Sequence, residues 1–243
     1  MSEQISVSDN RKSIGGLFDR IAPHYDRLNH LLSLNIDKIW RRKAVKELSQ
    51  TEGTILDVAT GTCDFAIEIL RAKKTKKLIG VDLSEVMMAL GRKKIEQFIS
   101  SKDIYKDCKV DIKAANCADL PFEDNTFAAV TCCYGVRNFS KLEKCLQEMH
   151  RVMQENGKLV IVEFSYPSNK LVRIIYDFYF TKILPTIGKM ISKDNSAYNY
   201  LPASVKAFYK GKQFADKLSE AGFRNTNWHN QTFGISTIYT AIK

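Results

Sequence analysis

The chain has 243 residues, of which 44% are hydrophobic, and it carries a formal charge of +10 from 37 Lys and Arg against 27 Asp and Glu. This composition suffices for a full-sized core and excludes a largely disordered chain, while the lack of any uninterrupted apolar stretch of roughly 18 residues excludes an ordinary membrane-spanning helix. The six cysteines form no CxxC pair, so neither a zinc site nor a disulfide framework is indicated.

The first segment, residues 1–50, carries nine basic and six acidic residues, a net charge of +3. Residues 1–13 are polar and lack the basic start and apolar run of a signal peptide, so we expect an intracellular protein. Between residues 13 and 48 the pattern is helical. It predicts an N-terminal helical cap over residues 1–50, ahead of a main domain that covers residues 51–243.

The main domain alternates short apolar runs with amphipathic stretches, which is typical of an α/β sheet. Strands are predicted at residues 54–59, 77–82, 110–115, 127–134 and 158–164. Helices with one buried face are predicted between them, at residues 64–71, 85–99 and 141–153. Continuous apolar runs such as residues 159–162 belong in the middle of a parallel sheet that is covered on both faces. The sequence therefore predicts a doubly wound domain.

A long insertion, residues 166–211, separates the fifth strand from the last helix, where a connection of about two to six residues is usual. Residues 165–217 carry nine basic and three acidic residues, a net charge of +6, which leaves only +1 for the chain outside this range and residues 1–50. From Leu171 the apolar residues follow helical spacing, with basic residues between them. We expect a helical lid that contacts an anionic membrane surface. The alternative is a helix packed on the main domain with a solvated outer face.

The C-terminal end departs from the alternating pattern. A helix at residues 213–221, closed by Gly222, precedes strands at residues 223–230 and 235–242, with Phe233-Gly234 as the hairpin turn. This hairpin places an antiparallel strand near the edge of a seven-stranded sheet. Rossmann-like class I S-adenosylmethionine-dependent methyltransferases have this arrangement, an analogy that requires evidence from the site.

The most informative motif, residues 55–65, is predicted as a strand, a tight turn and a helix start. Ala59, Gly61 and Asp64 stand where a dinucleotide fingerprint has three glycines. A carboxylate at the start of the helix would cap it and repel a phosphate. A cationic ligand without phosphate, such as S-adenosylmethionine, fits this turn better. Asp57 and Gly61 are candidate cofactor-binding residues.

Two later strand ends extend this site. Asp82 ends the second strand 21 residues after Gly61, where an acidic side chain reaches ribose hydroxyls. Alternatively, Asp82 only ends the strand or caps the next helix, a role for which Ser84 is the better candidate. Asn116 follows the third strand, where its side chain and the neighbouring amide of Cys117 can read the edge of an adenine ring.

Several motifs together resemble the menaquinone and ubiquinone biosynthesis C-methyltransferases. They are Phe-Asp-Arg-Ile-Ala-Pro-His-Tyr-Asp at 18–26, Asn-His-Leu-Leu-Ser-Leu at 29–34 with Trp40-Arg41, Leu-Asp-Val-Ala-Thr-Gly-Thr-Cys-Asp at 56–64, Ala-Asp-Leu-Pro-Phe at 118–122, Tyr-Gly-Val-Arg-Asn at 134–138 and Glu-Phe-Ser-Tyr-Pro at 163–167. The resemblance runs from Ile14 to the C-terminus. It implies S-adenosylmethionine-dependent methylation of a ring carbon of a polyprenyl quinol, with demethylmenaquinol the commonest substrate.

The resemblance also implies which residues contact the cofactor. These are Thr62, Asp82, Asn116 with Cys117, and Cys133. The family usually has Gly where this chain has Cys63, so the turn is tighter here. The family often has Ser at the position of Cys133, where a hydroxyl contact becomes a thiol contact.

Methyl transfer to carbon requires an activated ring. A quinol becomes reactive when a hydroxyl loses its proton, and such a phenol has a pKa near 10, as tyrosine does. Arg137, the only basic residue between Lys113 and Ser140, can favour the phenolate, and Asn138 can donate a hydrogen bond to the same oxygen. Alternatively, Arg137 only pairs with Glu163.

The N-terminal motif supplies further candidates. Tyr25 is expected to cover the cofactor, and His24, Tyr25 or Asp26 can accept or relay the proton if the N-terminal helix folds over the site. Tyr25 is therefore grouped with Arg137 and Asn138 as a catalytic candidate.

Other functions are tested at the same positions. Amino-group methyltransferases that act on adenine or glutamine have an Asn/Asp-Pro-Pro-Tyr/Phe tetrad where this chain has residues 133–136, and cytosine C5 enzymes need a Pro-Cys pair that is absent. An RNA methyltransferase is an alternative function, but the chain has no appended RNA-binding motif, which argues against it. A noncatalytic cofactor-binding subunit is a further alternative.

The expected partners are a prenylated quinol and an anionic membrane. No nucleic-acid partner is expected, and the chain could form a homodimer. The expected location is the cytoplasm, at the membrane periphery.

Overall fold

A seven-stranded sheet is central to the fold in the computed structural model, which describes residues 16, 19–23, 25–27, 29–30, 33–183 and 196–243. The strands are β1 (Thr54–Val58), β2 (Lys77–Asp82), β3 (Lys109–Ala114), β4 (Phe127–Cys133), β5 (Met153–Phe164), β6 (Arg224–Gln231) and β7 (Ser236–Ile242). Their order is β3-β2-β1-β4-β5-β7-β6. Strands β1 to β5 pair in parallel, whereas β7 is antiparallel to both β5 and β6. The predicted doubly wound sheet with a C-terminal hairpin is confirmed.

Besides the helical residues between 16 and 30, seven α-helices are assigned among the described residues: α1 (Ile36–Glu47), α2 (Asp64–Arg71), α3 (Glu85–Ser100), α4 (Leu142–Val152), α5 (Lys170–Phe178), α6 (Ser196–Ala207) and α7 (Lys212–Glu220). The boundaries predicted within the main domain hold to within one residue, except at β5. That strand begins at Met153 rather than at residue 158, because Met153 pairs with Phe127 ahead of a register shift between Phe127 and Ala129.

Helices cover both faces of the sheet. Apolar residues of α1, α2 and α3, such as Ala44, Phe65 and Met88, pack with Val160 and Val162 of β5 on one face. On the other face, Leu146 of α4 and Phe214 of α7 pack with alternate residues of the same strand. Full burial of each large apolar side chain contributes roughly 1.5–3 kcal/mol. This two-sided burial explains the continuous apolar runs of the central strands.

The N-terminal region joins this core. Helix α1 packs on β5 and β7, and its Trp40 is 3% exposed, with its ring edge-on to Phe164 at 6.2 Å between centroids. The Trp40 indole donates a hydrogen bond of 2.8 Å to the hydroxyl of Thr232, 192 residues later in the chain. The described residues between 16 and 30 are also helical, as predicted. Residues 36–47 thus form part of the covering layer of the sheet.

The described helical parts of the insertion are α5, a π-helical turn at Tyr179–Ile183 and α6. Residues 184–195, over which the helical spacing of apolar residues was expected to continue, lie outside the described residues. The outer face of α5 exposes Leu171, Ile174, Ile175 and Phe178, each between 59% and 73%. Among the described residues, no helix has the length and apolar character needed to cross a membrane.

Candidate active site

A cavity of about 610 Å³ opens at the carboxyl ends of β1, β2 and β4. Its walls are formed by the segments that follow these strands and β3, and by Tyr25 from the N-terminal region. The strand order reverses between β1 and β4, and ligands of doubly wound sheets bind at such a reversal. The fold therefore brings most of the predicted site residues to one place.

The turn after β1 faces this cavity. Gly61 has a positive φ of +53°, and a Cβ atom at this position would meet no heavy atom within 4 Å. Its N–H donates a hydrogen bond of 2.8 Å to Oδ2 of Asp82, so the two predicted cofactor-binding residues are in direct contact. The turn thus presents open backbone to a ligand beside a carboxylate.

Asp82 lines the cavity, and a backbone N–H donates a hydrogen bond to each of its two carboxylate oxygens. Its Oδ1 accepts a hydrogen bond of 2.9 Å from the N–H of Ser84, and burial raises the pKa of the carboxyl. The side chain of Ser84 caps α3 by accepting from the N–H of Met87 at 3.1 Å, so capping does not require Asp82. Since each carboxylate oxygen accepts one backbone N–H, each retains capacity for a ribose hydroxyl.

Two predicted cofactor contacts, Asp57 and Thr62, lie outside the cavity wall. Asp57 is 1% exposed and accepts hydrogen bonds from the hydroxyls of Thr60 at 2.7 Å and Thr131 at 2.6 Å. Burial raises its pKa to about 6. The Thr62 hydroxyl donates to Oδ1 of Asp26 at 2.5 Å. Both side chains therefore hold the turn in place from behind, because their polar atoms are engaged by protein partners.

Asn116 and Cys117, the residues predicted to lie near the adenine, line the cavity. The Asn116 side-chain oxygen accepts from the N–H of Ala118 at 3.0 Å, which fixes the side chain in a local turn. The Cys117 thiol points to the carbonyl of Cys145 at 3.7 Å, and Cys145 also lines the cavity. A role in adenine binding stays a prediction.

Cys133 lines the cavity where β4 ends, and burial raises the pKa of its thiol. Close to it lies Arg41, which is 5% exposed and pairs with Asp37 one helical turn earlier. The Arg41 guanidinium also lies 5.4 Å from the ring centre of Tyr134, which lines the cavity. The Trp40-Arg41 motif was visible in the sequence, but its spacing gave no sign that a buried cation stands behind Cys133.

Arg137 lines the cavity and pairs with Glu163, so both sequence interpretations describe part of its environment. Its Nη1 donates to Oε1 of Glu163 and to the carbonyl of Tyr134, each at 2.6 Å. The two side chains are 5% and 1% exposed. Arg137 Nε is buried without a hydrogen-bond partner among the described residues. The ion pair thus fixes the guanidinium at the cavity and leaves the Nε donor unused.

Asn138 and Tyr25 complete the wall on this side. Asn138 Oδ1 accepts a hydrogen bond of 2.7 Å from the hydroxyl of Tyr200 on α6, so the insertion reaches the site. The polar group that Asn138 has left for a ligand is its NH2, a donor. Burial raises the pKa of Tyr25, which outweighs the opposing effects of Asn29 and Arg137. Tyr25 is therefore a neutral phenol at pH 7, whereas His24 lies outside the described residues.

The prediction that the Asp64 carboxylate caps α2 is wrong. The helix begins after Cys63, and Asp64 instead contacts Lys94 and lies 3.6 Å from Arg41 Nη2. Although burial opposes this, Arg41 and Lys94 hold the pKa of Asp64 below its usual value. Cys63 has a φ of +65°, a left-handed conformation that explains why Gly suits this position. A Cβ at Gly91 on α3 would lie 2.5 Å from the Cys63 sulfur, so Gly91 makes room for the thiol.

These residues fit S-adenosylmethionine. The cavity combines open backbone at Gly61, acceptors on Asp82 and apolar walls that include Val81 and Met87. Asp64, rather than a run of free N–H donors, stands at the start of α2, which disfavours a phosphate there. The ligand favoured by these features is a nucleoside with a cationic tail.

Comparison with known proteins agrees with this chemistry. The chain matches the model of the ubiE/COQ5 methyltransferase family over residues 5–243. A demethylmenaquinone methyltransferase of Bacteroides fragilis is 44% identical over 239 residues, which cover 97% of this chain and 95% of that protein. The ubiquinone/menaquinone biosynthesis C-methyltransferase UbiE of Geotalea daltonii is 42% identical over 239 residues, which cover 98% and 99%.

Solved structures share the fold at low sequence identity. An S-adenosylmethionine-dependent methyltransferase of Thermotoga maritima, described as a possible histamine N-methyltransferase, has a TM-score of 0.63 at 18% identity, with 94% of this chain and 98% of that chain covered. The [4+2]-cyclase SpnF has a TM-score of 0.66 at 16% identity, with 95% of each chain covered. Because proteins named for such different reactions share this fold, the residues around the cavity must carry the function.

Proposed function

Because the chain belongs to the ubiE/COQ5 methyltransferase family, we propose that it transfers a methyl group to a ring carbon of demethylmenaquinol in menaquinone biosynthesis. The cofactor is S-adenosylmethionine, which supplies an electrophilic methyl group. The observation that carries the proposal is that Arg137 and Asn138 line the same cavity as the glycine turn, with Arg137 close to Tyr25. The name of the Bacteroides fragilis relative, demethylmenaquinone methyltransferase, supports demethylmenaquinol as the substrate.

Arg137 and Asn138 would hold the reacting hydroxyl of the quinol. A cation next to a phenol lowers its pKa, and a tenfold increase in the ratio of phenolate to phenol corresponds to about 1.4 kcal/mol. Glu163 neutralises part of the Arg137 charge, so the directed donors of Arg137 and the NH2 of Asn138 matter more than the net charge. The ion pair keeps these donors at the cavity, which limits the reorganisation that the reaction requires.

Tyr25 would exclude water from this end of the cavity. Its phenol is neutral at pH 7, so it can donate or accept a hydrogen bond but is a poor general base. Asp26 is already engaged by Thr62 and Lys94, so it is not available as the proton acceptor. In-line transfer depends on alignment of the ring carbon with the methyl group, which is the role we assign to this wall.

We propose that the outer face of α5 rests on an anionic membrane, where the prenyl tail of the substrate lies. Four large apolar side chains are exposed on this face, while the helix and the turn after it carry Lys170, Arg173 and Lys182. Burial of each such apolar side chain contributes roughly 1.5–3 kcal/mol, and each basic residue near the surface contributes roughly 1 kcal/mol. Residues 166–211 would then act as a lid between membrane and cavity.

The substrate is tested with purified protein, radiolabelled S-adenosylmethionine and reduced demethylmenaquinone in vesicles that contain anionic lipid. We expect labelled menaquinone, identified by mass spectrometry. In parallel assays, demethylmenaquinone is replaced by the reduced form of a polyprenyl benzoquinone that lacks the ring methyl group, or by total RNA. Label in RNA but in neither quinol would overturn the proposal, and label in the benzoquinol alone would correct the ring.

Membrane contact is tested separately by vesicle flotation at low salt. We expect wild-type protein to float with anionic vesicles, and Ile174→Ser/Ile175→Ser to remain in the soluble fraction. The control, Ile39→Ser, alters a 50% exposed apolar residue on α1 and should float as wild type does. Equal flotation of both variants would exclude α5 as the contact surface.

A further inference from the structure

A group of charged and hydroxyl side chains connects the N-terminal region to the turn after β1. Asp26 accepts hydrogen bonds from the Thr62 hydroxyl at 2.5 Å and from Lys94 Nζ at 2.6 Å. Lys94, on α3, also donates to Asp64 at the start of α2. We call Asp26, Thr62, Lys94 and Asp64 the clamp. It joins three segments that are distant in the sequence.

The clamp lies directly behind the cofactor cavity. Tyr25, next to Asp26, forms part of the cavity wall, and Gly61, next to Thr62, forms another part. A second link stands two helical turns earlier, where Asp19 accepts a hydrogen bond of 2.5 Å from the Ser84 hydroxyl. The N-terminal region is therefore attached to the segments that follow both β1 and β2, with Tyr25 near the Asp26 attachment.

Lys94 is the only positive charge that the structure places in hydrogen-bond contact with both clamp carboxylates, among the described residues. Asp26, Asp64 and Lys94 are only 21–30% exposed, so solvent screens them less than it would at an open surface. Without Lys94, no cation would lie between the carboxylates of Asp26 and Asp64, although Arg41 Nη2 would remain 3.6 Å from the other oxygen of Asp64. The repulsion between the two carboxylates would push the N-terminal region, and Tyr25 with it, away from the turn.

We propose that Lys94 is a positioning residue for cofactor binding, which acts by clamping Tyr25 over the cavity through Asp26 and Thr62. It is not a catalytic residue, because it reaches the cavity only through these partners. The sequence alone presents Lys94 as one of two adjacent lysines on an amphipathic helix.

An opposing effect makes this proposal testable. S-adenosylmethionine carries a sulfonium charge that its product, S-adenosylhomocysteine, lacks. If the loss of Lys94 acted mainly by exposing two carboxylates to the ligand, the charged cofactor would bind more tightly and the product would change little. If Lys94 acts as a clamp, both ligands lose the same cover and weaken equally.

The test measures dissociation constants of both ligands for Lys94→Met, with Lys94→Arg as the conservative variant. The matched control is Lys93→Met, which removes the adjacent exposed lysine. We expect Lys94→Met to raise both constants about tenfold, the loss of one charged hydrogen bond, while Lys94→Arg and the control stay within about twofold of wild type. Adding Asp26→Asn to Lys94→Met should recover part of the affinity, because it removes the repulsion.

Limited trypsin digestion gives a second measurement that does not depend on catalysis. Arg27 is exposed next to Asp26, and we expect cleavage after it to be slowed by S-adenosylhomocysteine in wild type but not in Lys94→Met. Unchanged affinities, tighter cofactor binding alone, or an equal loss in Lys93→Met would overturn the proposal. None of these measurements uses a quinol, so the proposal stands or falls independently of the proposed substrate.

Discussion

Replacement of Arg137 by methionine separates the structural role of this residue from its catalytic role. Glu163 is 1% exposed, and its Oε1 accepts from Arg137 Nη1, so Arg137→Met leaves a buried carboxylate without its cation. Such a change costs about 3–5 kcal/mol, against a total stability of about 5–15 kcal/mol for a typical domain. Loss of activity in the single variant would therefore not distinguish unfolding from lost catalysis.

The double variant Arg137→Met/Glu163→Gln removes the uncompensated charge. A glutamine oxygen can still accept from the N–H of Phe164, which bonds Glu163 at 2.8 Å. We expect the double variant to recover about 2–3 kcal/mol of the lost stability in urea titrations. Binding of S-adenosylhomocysteine should remain within about threefold of wild type, because the proposed function assigns Arg137 to the quinol and not to the cofactor.

Activity should not recover with stability. We expect the single-turnover rate of methyl transfer in the double variant to be about 100- to 1000-fold below wild type, the usual cost of removing one donor to a developing oxyanion. A double variant that is stable, binds product and transfers methyl groups at the wild-type rate would refute the role assigned to Arg137. Arg137 would then be a structural partner of Glu163 only.

Three further predictions concern the turn and the core. Gly91→Ala should destabilise the protein by about 1–3 kcal/mol in urea titrations, since the new Cβ would lie 2.5 Å from the Cys63 sulfur. Adding Cys63→Gly to Gly91→Ala should recover part of this loss. Additive effects of the two substitutions would contradict the contact between these positions. Tyr176→Phe should leave the free energy of unfolding unchanged or higher, because the buried Tyr176 hydroxyl has no partner among the described residues. Tyr239→Phe should lower the free energy of unfolding by about 1–3 kcal/mol, because the Tyr239 hydroxyl accepts a hydrogen bond from the N–H of a glycine at 2.9 Å. A larger loss of stability in Tyr176→Phe than in Tyr239→Phe would disprove this interpretation. Asp57 has a pKa of about 6 in the folded protein against about 3.9 in the unfolded chain, so the folded state binds more protons. Its contribution to the free energy of unfolding is therefore fully present below about pH 4 and is lost as the pH rises to about 6. The free energy of unfolding should fall by about 3 kcal/mol across that range in wild type and by less in Asp57→Asn, and equal slopes in the two proteins would contradict this assignment.

Local patterns were enough to predict the sheet and most of the residues that line the cavity. The strands of the main domain, the Gly61 turn and its link to Asp82 follow from apolar periodicity and from the fixed geometry of a strand, a turn and a helix. Arg137 and Asn138 followed from their position after β4. These features depend on residues that are close in the sequence or attached to the same edge of the sheet.

Contacts between distant segments explain what was missed. Thr62 was expected at the cofactor, but its hydroxyl is engaged by Asp26 from the N-terminal region. Asp64 was expected to cap α2, but Lys94 of α3 and Arg41 of α1 draw its side chain elsewhere. Periodicity gives no information on such pairings, because they depend on how the helices of one covering layer meet.

The bond between Trp40 and Thr232 has a consequence for synthesis on the ribosome. Helix α1 rests on β5 and β7, and β7 is translated only after all the other strands of the sheet. Until Thr232 and β7 have emerged, α1 lacks the hydrogen bond of Trp40 and part of the surface on which it packs. We therefore expect the nascent chain to form the Gly61 turn early and to complete the packing of α1 only after β7 has been translated.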